Sequence, residues 1–155
     1  AVKVTSAERG TLVTTCCIVS AAGSALPPAM VFPRKNFKTH MLTGAPSGTL
    51  SLAQPTGWMT GELFANVIRH FIKMTSFTKE NLTLVIMDND ESHLAPEVLN
   101  IAKENGVILP HTSHKLQALE VSVFGPFQNF YNAAVDSWMV RHPGQTLTIY
   151  NLINL

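Results

Sequence analysis

The chain has 155 residues, of which 46% are hydrophobic and 14% charged, and its formal net charge is +1. That length can bury a sizeable core, and the composition excludes a disordered chain. The near-neutral balance excludes a uniformly basic nucleic-acid binder, so any such affinity has to come from a local patch, and no apolar run is long enough to span a bilayer.

The opening residues, AVKVTSAERG, move almost at once into a strand pattern without an initiator Met, and read as a cut through a longer protein. Thr11 to Val19 is dense in β-branched side chains and stops at Ala21-Ala22-Gly23, which predicts a strand and a turn. Adjacent Cys16 and Cys17 point to opposite faces of such a strand and cannot easily pair, which fits a reducing compartment. Pro28 to Pro33 predicts a second strand closing a hairpin, and its bounding prolines argue for an edge or a short strand. Arg34 to Trp58 is rich in Gly, Pro, Ser and Thr without periodicity, and reads as a long surface loop. Within it, Arg34, Lys35, Lys38 and His40 make the only tight basic cluster, for which a solvated loop is the simpler reading.

Thr60 can cap a helix running through Met74, whose positions Leu63, Phe64, Val67, Ile68, Phe71 and Ile72 share one face. A strand is expected from Leu82 to Met87. A second helix is expected from Pro96, burying Val98, Leu99 and Ala102 and ending at Gly106. Val107 to Leu109 predicts a very short strand. A last helix is expected from Gly125-Pro126, burying Phe127, Tyr131, Val135 and Trp138. This order predicts an α/β chain, a sheet covered by helices.

The chemistry concentrates in LTLVIMDNDESH (Leu82 to His93) and HTSHKLQALEV (His111 to Val121). Asp88 follows Leu84-Val85-Ile86-Met87, a run apolar enough to be buried, and would lie beyond the carboxyl end of a strand, where such sheets gather ligands. Glu120 stands at the mouth of the last helix, after a stretch long enough to return the chain to the same edge. Two carboxylates so placed suit Mg²⁺, a hard cation that takes oxygen ligands and activates water or a 3′-hydroxyl against a phosphodiester. The plainer reading of an Asp-Asn pair after a strand is a turn or a helix cap. Asp90 and Glu91 are expected to face water or cap the following helix. His93, His111 and His114 lack the supporting third ligand of a zinc site, and no G-x-S-x-G elbow points to a serine hydrolase.

The chain resembles the catalytic domain of the pogo, Tigger and jerky group of DDE-superfamily transposases. The resemblance rests on ERGTLVT (Glu8 to Thr14), GAPSG (Gly44 to Gly48), GWMTGELF (Gly57 to Phe64), MDNDESH (Met87 to His93) and HTSHKLQALEVSVFGPF (His111 to Phe127). It implies a ribonuclease-H-like mixed sheet flanked by helices, and a nuclear protein derived from a mobile element. It also implies DNA as the partner, with Mg²⁺- or Mn²⁺-dependent cutting and joining of strands as the parent activity. Asp88 falls on the family's second metal-binding acid and Glu120 on its third. His93, His111, His114 and Lys115 fall where contacts to DNA phosphates are expected.

Several positions depart from that pattern. The first acid would precede Ala1, on a first strand expected to be missing, and no Asp occurs before Asp88. Glu120 replaces Asp, Asp90 stands where a histidine is usual, and Ala118 stands where a proline is usual. The stretch from Gly106 to His111 is also shortened. The resemblance therefore implies a partial DDE-type domain over residues 1–155 that is inactive by itself and binds metal weakly or not at all. A domesticated or degraded non-catalytic DNA-binding or interaction module is the competing expectation, and a small-molecule phosphoesterase a weaker one.

Overall fold

In the computed structural model the described residues are 2–5, 12–88, 90–110, 119–151 and 153, and they form a mixed α/β structure. The chain divides into two compact units, one of residues 1–58 and 120–155, the other of residues 59–119.

The first unit holds a four-stranded sheet in the order β1 (Val2–Thr5), β2 (Leu12–Val19), β3 (Ala25–Phe32), β4 (Leu50–Ala53). β1, β2 and β3 are antiparallel, and β4 runs parallel to β3. The expected hairpin of β2 and β3 is present. Its turn is closed by Ser20 N–H on the Ser24 carbonyl at 2.7 Å, with Gly23 at φ +86°. Among the described residues Cys16 and Cys17 on β2 form no disulfide.

β3 is not an edge strand: β2 lies on one side and β4 on the other. The prolines are tolerated because β4 pairs only with Ala29 to Phe32, beyond Pro27 and Pro28. On the β2 side they fall where the register shifts between Cys16 and Ile18, as a bulge that spares ladder donors. Nor is Arg34 to Trp58 only a loop. It contains a 3₁₀ turn at Thr39–Leu42 and β4, in which Leu52 alone is buried, so β4 leaves no readable alternation.

The core of this unit gathers Val13, Phe32, Met41 and Ile149, with Met30, Phe37, Leu42 and Ile153 packed against it. A buried bond of 2.8 Å from Thr14 Oγ1 to the Gly57 carbonyl ties β2 to the end of the β4 segment. The last helix, α3 (Gly125–Arg141), starts where expected, after a π-helical turn at Glu120–Phe124. Its expected buried stripe is not observed. No α3 residue is buried, Phe127 is 37% exposed and Phe130 77%. Apolar side chains at Phe130, Met139 and Val140 break the one-sided pattern a core helix needs. Leu147 and Ile149, after the helix, are buried in its place.

In the second unit, Thr60 caps α1 (Gly61–Met74) by accepting from the Leu63 N–H, and Phe64, Ala65, Val67, Ile68 and Phe71 form its buried face. β5 (Thr83–Leu84), α2 (Pro96–Glu104) and β6 (Val107–Ile108) follow, and β5 and β6 pair in parallel across α2. α2 buries Val98 and Ala102, while Leu99 is 41% exposed, against expectation. The strand expected from Leu82 to Met87 forms a ladder over only two residues, extended by the Val85 N–H on the Ile108 carbonyl at 3.0 Å. β6 offers no longer partner. The run is also not buried as expected: the alternating Leu82, Leu84 and Ile86 are each more than half exposed, because side chains on one strand alternate faces.

Candidate functional site

Asp88 stands four residues beyond Leu84, on the extended segment that continues β5, so the parallel β5–α2–β6 unit delivers it past the carboxyl end of a strand. Its neighbour is His93, on the 3₁₀ turn Glu91–Leu94, which folds the chain back towards Asp88. The His93 Nδ1 lies 2.6 Å from Asp88 Oδ1 and 3.1 Å from the Asp88 main-chain oxygen. A proton on Nδ1 can point at only one of them, and the ring is aligned on the main-chain oxygen. Oδ1 is therefore sealed from solvent beside a nitrogen yet has no aligned donor. The rest of the Asp88 carboxylate keeps the side chain 27% exposed, and it is there that a hard cation would take an oxygen ligand.

The histidine is held from behind. The Phe64 ring on α1 packs against the His93 ring with centroids 4.0 Å apart. Gly61, in the first turn of α1, lets Ala95 approach so closely that an added Cβ would stand 2.6 Å from the Ala95 Cβ. With its side chain 16% exposed, His93 is set to orient Asp88 and presents little surface to a phosphate. Sequence reading placed His93 in the site as a phosphate contact; its grip on Asp88 was missed, and the only signal was an Asp and a His five residues apart.

Asp90 does what its position suggested and caps the following turn. Its Oδ1 accepts from the Ser92 N–H at 3.0 Å and from the Ser92 hydroxyl at 2.6 Å. The Ser92 hydroxyl, the stronger influence, holds the Asp90 carboxyl below its ordinary pKa. A depressed carboxyl stabilises the fold above the unfolded pKa, and that contribution is lost as pH falls through the folded value. Glu91 is exposed.

Glu120 belongs to the other unit, where it is the exposed first residue of the π-helical turn leading into α3. His111, His114, Lys115 and Ala118 lie outside the described residues. Among the described residues no group of three or more His, Cys, Asp or Glu side chains is placed to hold a metal.

A curated relative, the MFS-type transporter clz9 of Cochliobolus lunatus, is 28% identical over 130 residues. That stretch covers 80% of this chain and 14% of the relative, so the chain spans about a seventh of its length. Among the described residues no helix is long and apolar enough to cross a membrane. No solved structure matches the chain. The family model for the DDE superfamily endonuclease matches residues 9–151, nearly the whole length. It takes in both MDNDESH and the Glu120 segment, and on that match the chain belongs to the DDE superfamily endonuclease family.

Proposed function

We propose that this chain is the catalytic-type domain of a transposon-derived DDE endonuclease of the pogo, Tigger and jerky group, with a ribonuclease-H-like fold and nuclear DNA as its partner. The observation that carries the reading is the Asp88 carboxylate, delivered past β5, paired with His93 at 2.6 Å and still 27% exposed. In this reading Asp88 and Glu120 are the metal-ligating acids. Bound Mg²⁺, or Mn²⁺, would supply the Lewis acidity that activates an attacking oxygen and steadies the leaving one at a phosphodiester. The protein's own part is positional. The ladder of β5 and β6 fixes the backbone that bears Asp88, and His93, backed by Phe64, fixes its carboxylate.

Glu120 carries one methylene more than the family's usual acid, and Asp90 stands where a histidine is usual. Metal-dependent phosphoryl transfer depends on a complete ligand set held to a fraction of an ångström. In this reading the chain binds duplex DNA and holds a cation weakly, without cutting. The competing reading, a domesticated non-catalytic binding module, gains support from Asp90, which serves as a cap where the family usually has a histidine.

Incubating the purified chain with labelled duplex and with supercoiled plasmid in Mg²⁺ tests the proposal. Retarded duplex with plasmid left intact is the expected result. Absence of any duplex binding would defeat the DNA reading. Mg²⁺-dependent nicking that vanishes in Asp88→Ala would instead show a complete active site and overturn the inactivity of the isolated chain.

A further inference from the structure

We propose that the segment from Arg34 to Leu42 is a preformed platform for the phosphate backbone of duplex DNA; the inference rests on the DNA reading above and adds a surface to it. The near-neutral net charge conceals a division. The unit of residues 1–58 and 120–155 carries six Lys and Arg against three acids, Glu8, Glu120 and Asp136, a balance of +3. The unit of residues 59–119 carries five against seven, a balance of −2. No Asp or Glu occurs between Glu8 and Glu62, so nothing within that stretch offsets Arg34, Lys35 and Lys38.

The structure removes the main reason to dismiss this cluster as a solvated loop. Phe37, Met41 and Leu42 alternate with the basic residues and anchor the segment in the core beside Phe32 and Ile149. Met41 is 2% exposed, and the Phe37 ring packs on Phe32 with centroids 6.2 Å apart. The backbone is fixed at both ends: the Arg34 N–H donates to the Phe32 carbonyl at 2.8 Å, and the Met41 N–H donates to Lys38 at 2.9 Å. Lys35, Lys38 and His40 are left exposed.

Tyr150 completes the surface. The Arg34 guanidinium lies 5.9 Å from the centre of its ring, and the His40 ring lies 5.2 Å from it. A cation over a tyrosine face is worth roughly 0.5–1 kcal/mol at an exposed site, enough to bias the Arg34 rotamer. Cations on a rigid base meet a polyanion without first losing the conformational freedom of a loop. Such contacts read the charge and spacing of phosphates and carry no base specificity.

Fluorescence anisotropy with a labelled duplex of arbitrary sequence, measured across a salt series, tests the platform. Each phosphate contact contributes about 0.9 to the slope of log K against log salt. The doubly substituted Lys35→Gln, Lys38→Gln chain should bind on the order of ten- to a hundred-fold more weakly near 0.1 M salt, with the slope reduced by about 2. Lys73→Gln with Lys79→Gln, in the other unit, should change neither, and circular dichroism should show all variants folded alike. Wild-type binding that the Lys35 and Lys38 substitutions leave unchanged would overturn the platform and leave the DNA reading standing. No binding by the wild type would remove both. Binding of an RNA duplex tenfold tighter than DNA would overturn DNA as the partner of this surface.

Discussion

Gly106→Ala is expected to destabilise the protein by about 3 kcal/mol or more, a large share of the roughly 5–15 kcal/mol that holds a domain folded. Gly106 follows α2 at φ +73°, where an L side chain alone costs roughly 1–2 kcal/mol. A Cβ there would also collide with the Thr78 carbonyl oxygen, which is backbone and cannot rotate away. The damage reaches the site, because the Gly106 carbonyl accepts the Thr83 N–H at 3.0 Å and so starts the ladder that carries Asp88. Gly23→Ala is the control. Gly23 has a similar φ of +86° but nothing within 4 Å of an added Cβ, so the cost should stay near 1 kcal/mol. Urea unfolding of both variants measures the difference, and equal costs would show that crowding at Thr78 plays no part.

Phe32→Ala is expected to cost about 3–5 kcal/mol, the range for a fully buried aromatic side chain. Phe32 is wholly buried and packs with Val13, Met41 and Ile149, and its ring also meets Phe37. Removing it leaves a void beneath the anchors of the Arg34 to Leu42 segment, so duplex binding should weaken along with stability. Phe130→Ala, at a side chain 77% exposed, should fall within about 0.5 kcal/mol of the unaltered chain. A thermal melt of each checks the pair. A small loss at Phe32 would mean that the core of this unit lies elsewhere.

What could be read from the sequence follows from how local each signal is. α1 was legible because its cap at Thr60 and six apolar positions at helical spacing lie within fifteen residues. The β2–β3 hairpin was legible from β-branched density around Gly23. β4 was not: it is held by β3, and its four residues carry one buried side chain. Leu84 and Ile86 misled because hydrophobicity predicts burial only where a facing layer exists, and these two are more than half exposed. Tyr131, Val135 and Trp138 make a stripe on paper, but Phe130 and Val140 lie off it and α3 buries no residue.

The site divided in the same way. A carboxylate ending an apolar β-branched run marked Asp88 as a candidate. Its clasp by His93 depends on a 3₁₀ turn that no periodicity announces. The meeting of Arg34, His40 and Tyr150 joins residues more than a hundred positions apart, beyond the reach of local pattern. The resemblance to DDE transposases supplied what local pattern lacked, and the family match over residues 9–151 supports it at the level of the superfamily.

The measurement closest to the central claim is a titration of the ¹⁵N-labelled chain with substoichiometric Mn²⁺, whose unpaired electrons broaden nearby amide signals even when binding is weak. Selective loss of the amides flanking Asp88 and Glu120, abolished by Asp88→Ala and reversed by excess Mg²⁺, is expected if these acids hold the metal. Broadening that is uniform along the chain, or that persists unchanged in Asp88→Ala, would contradict it.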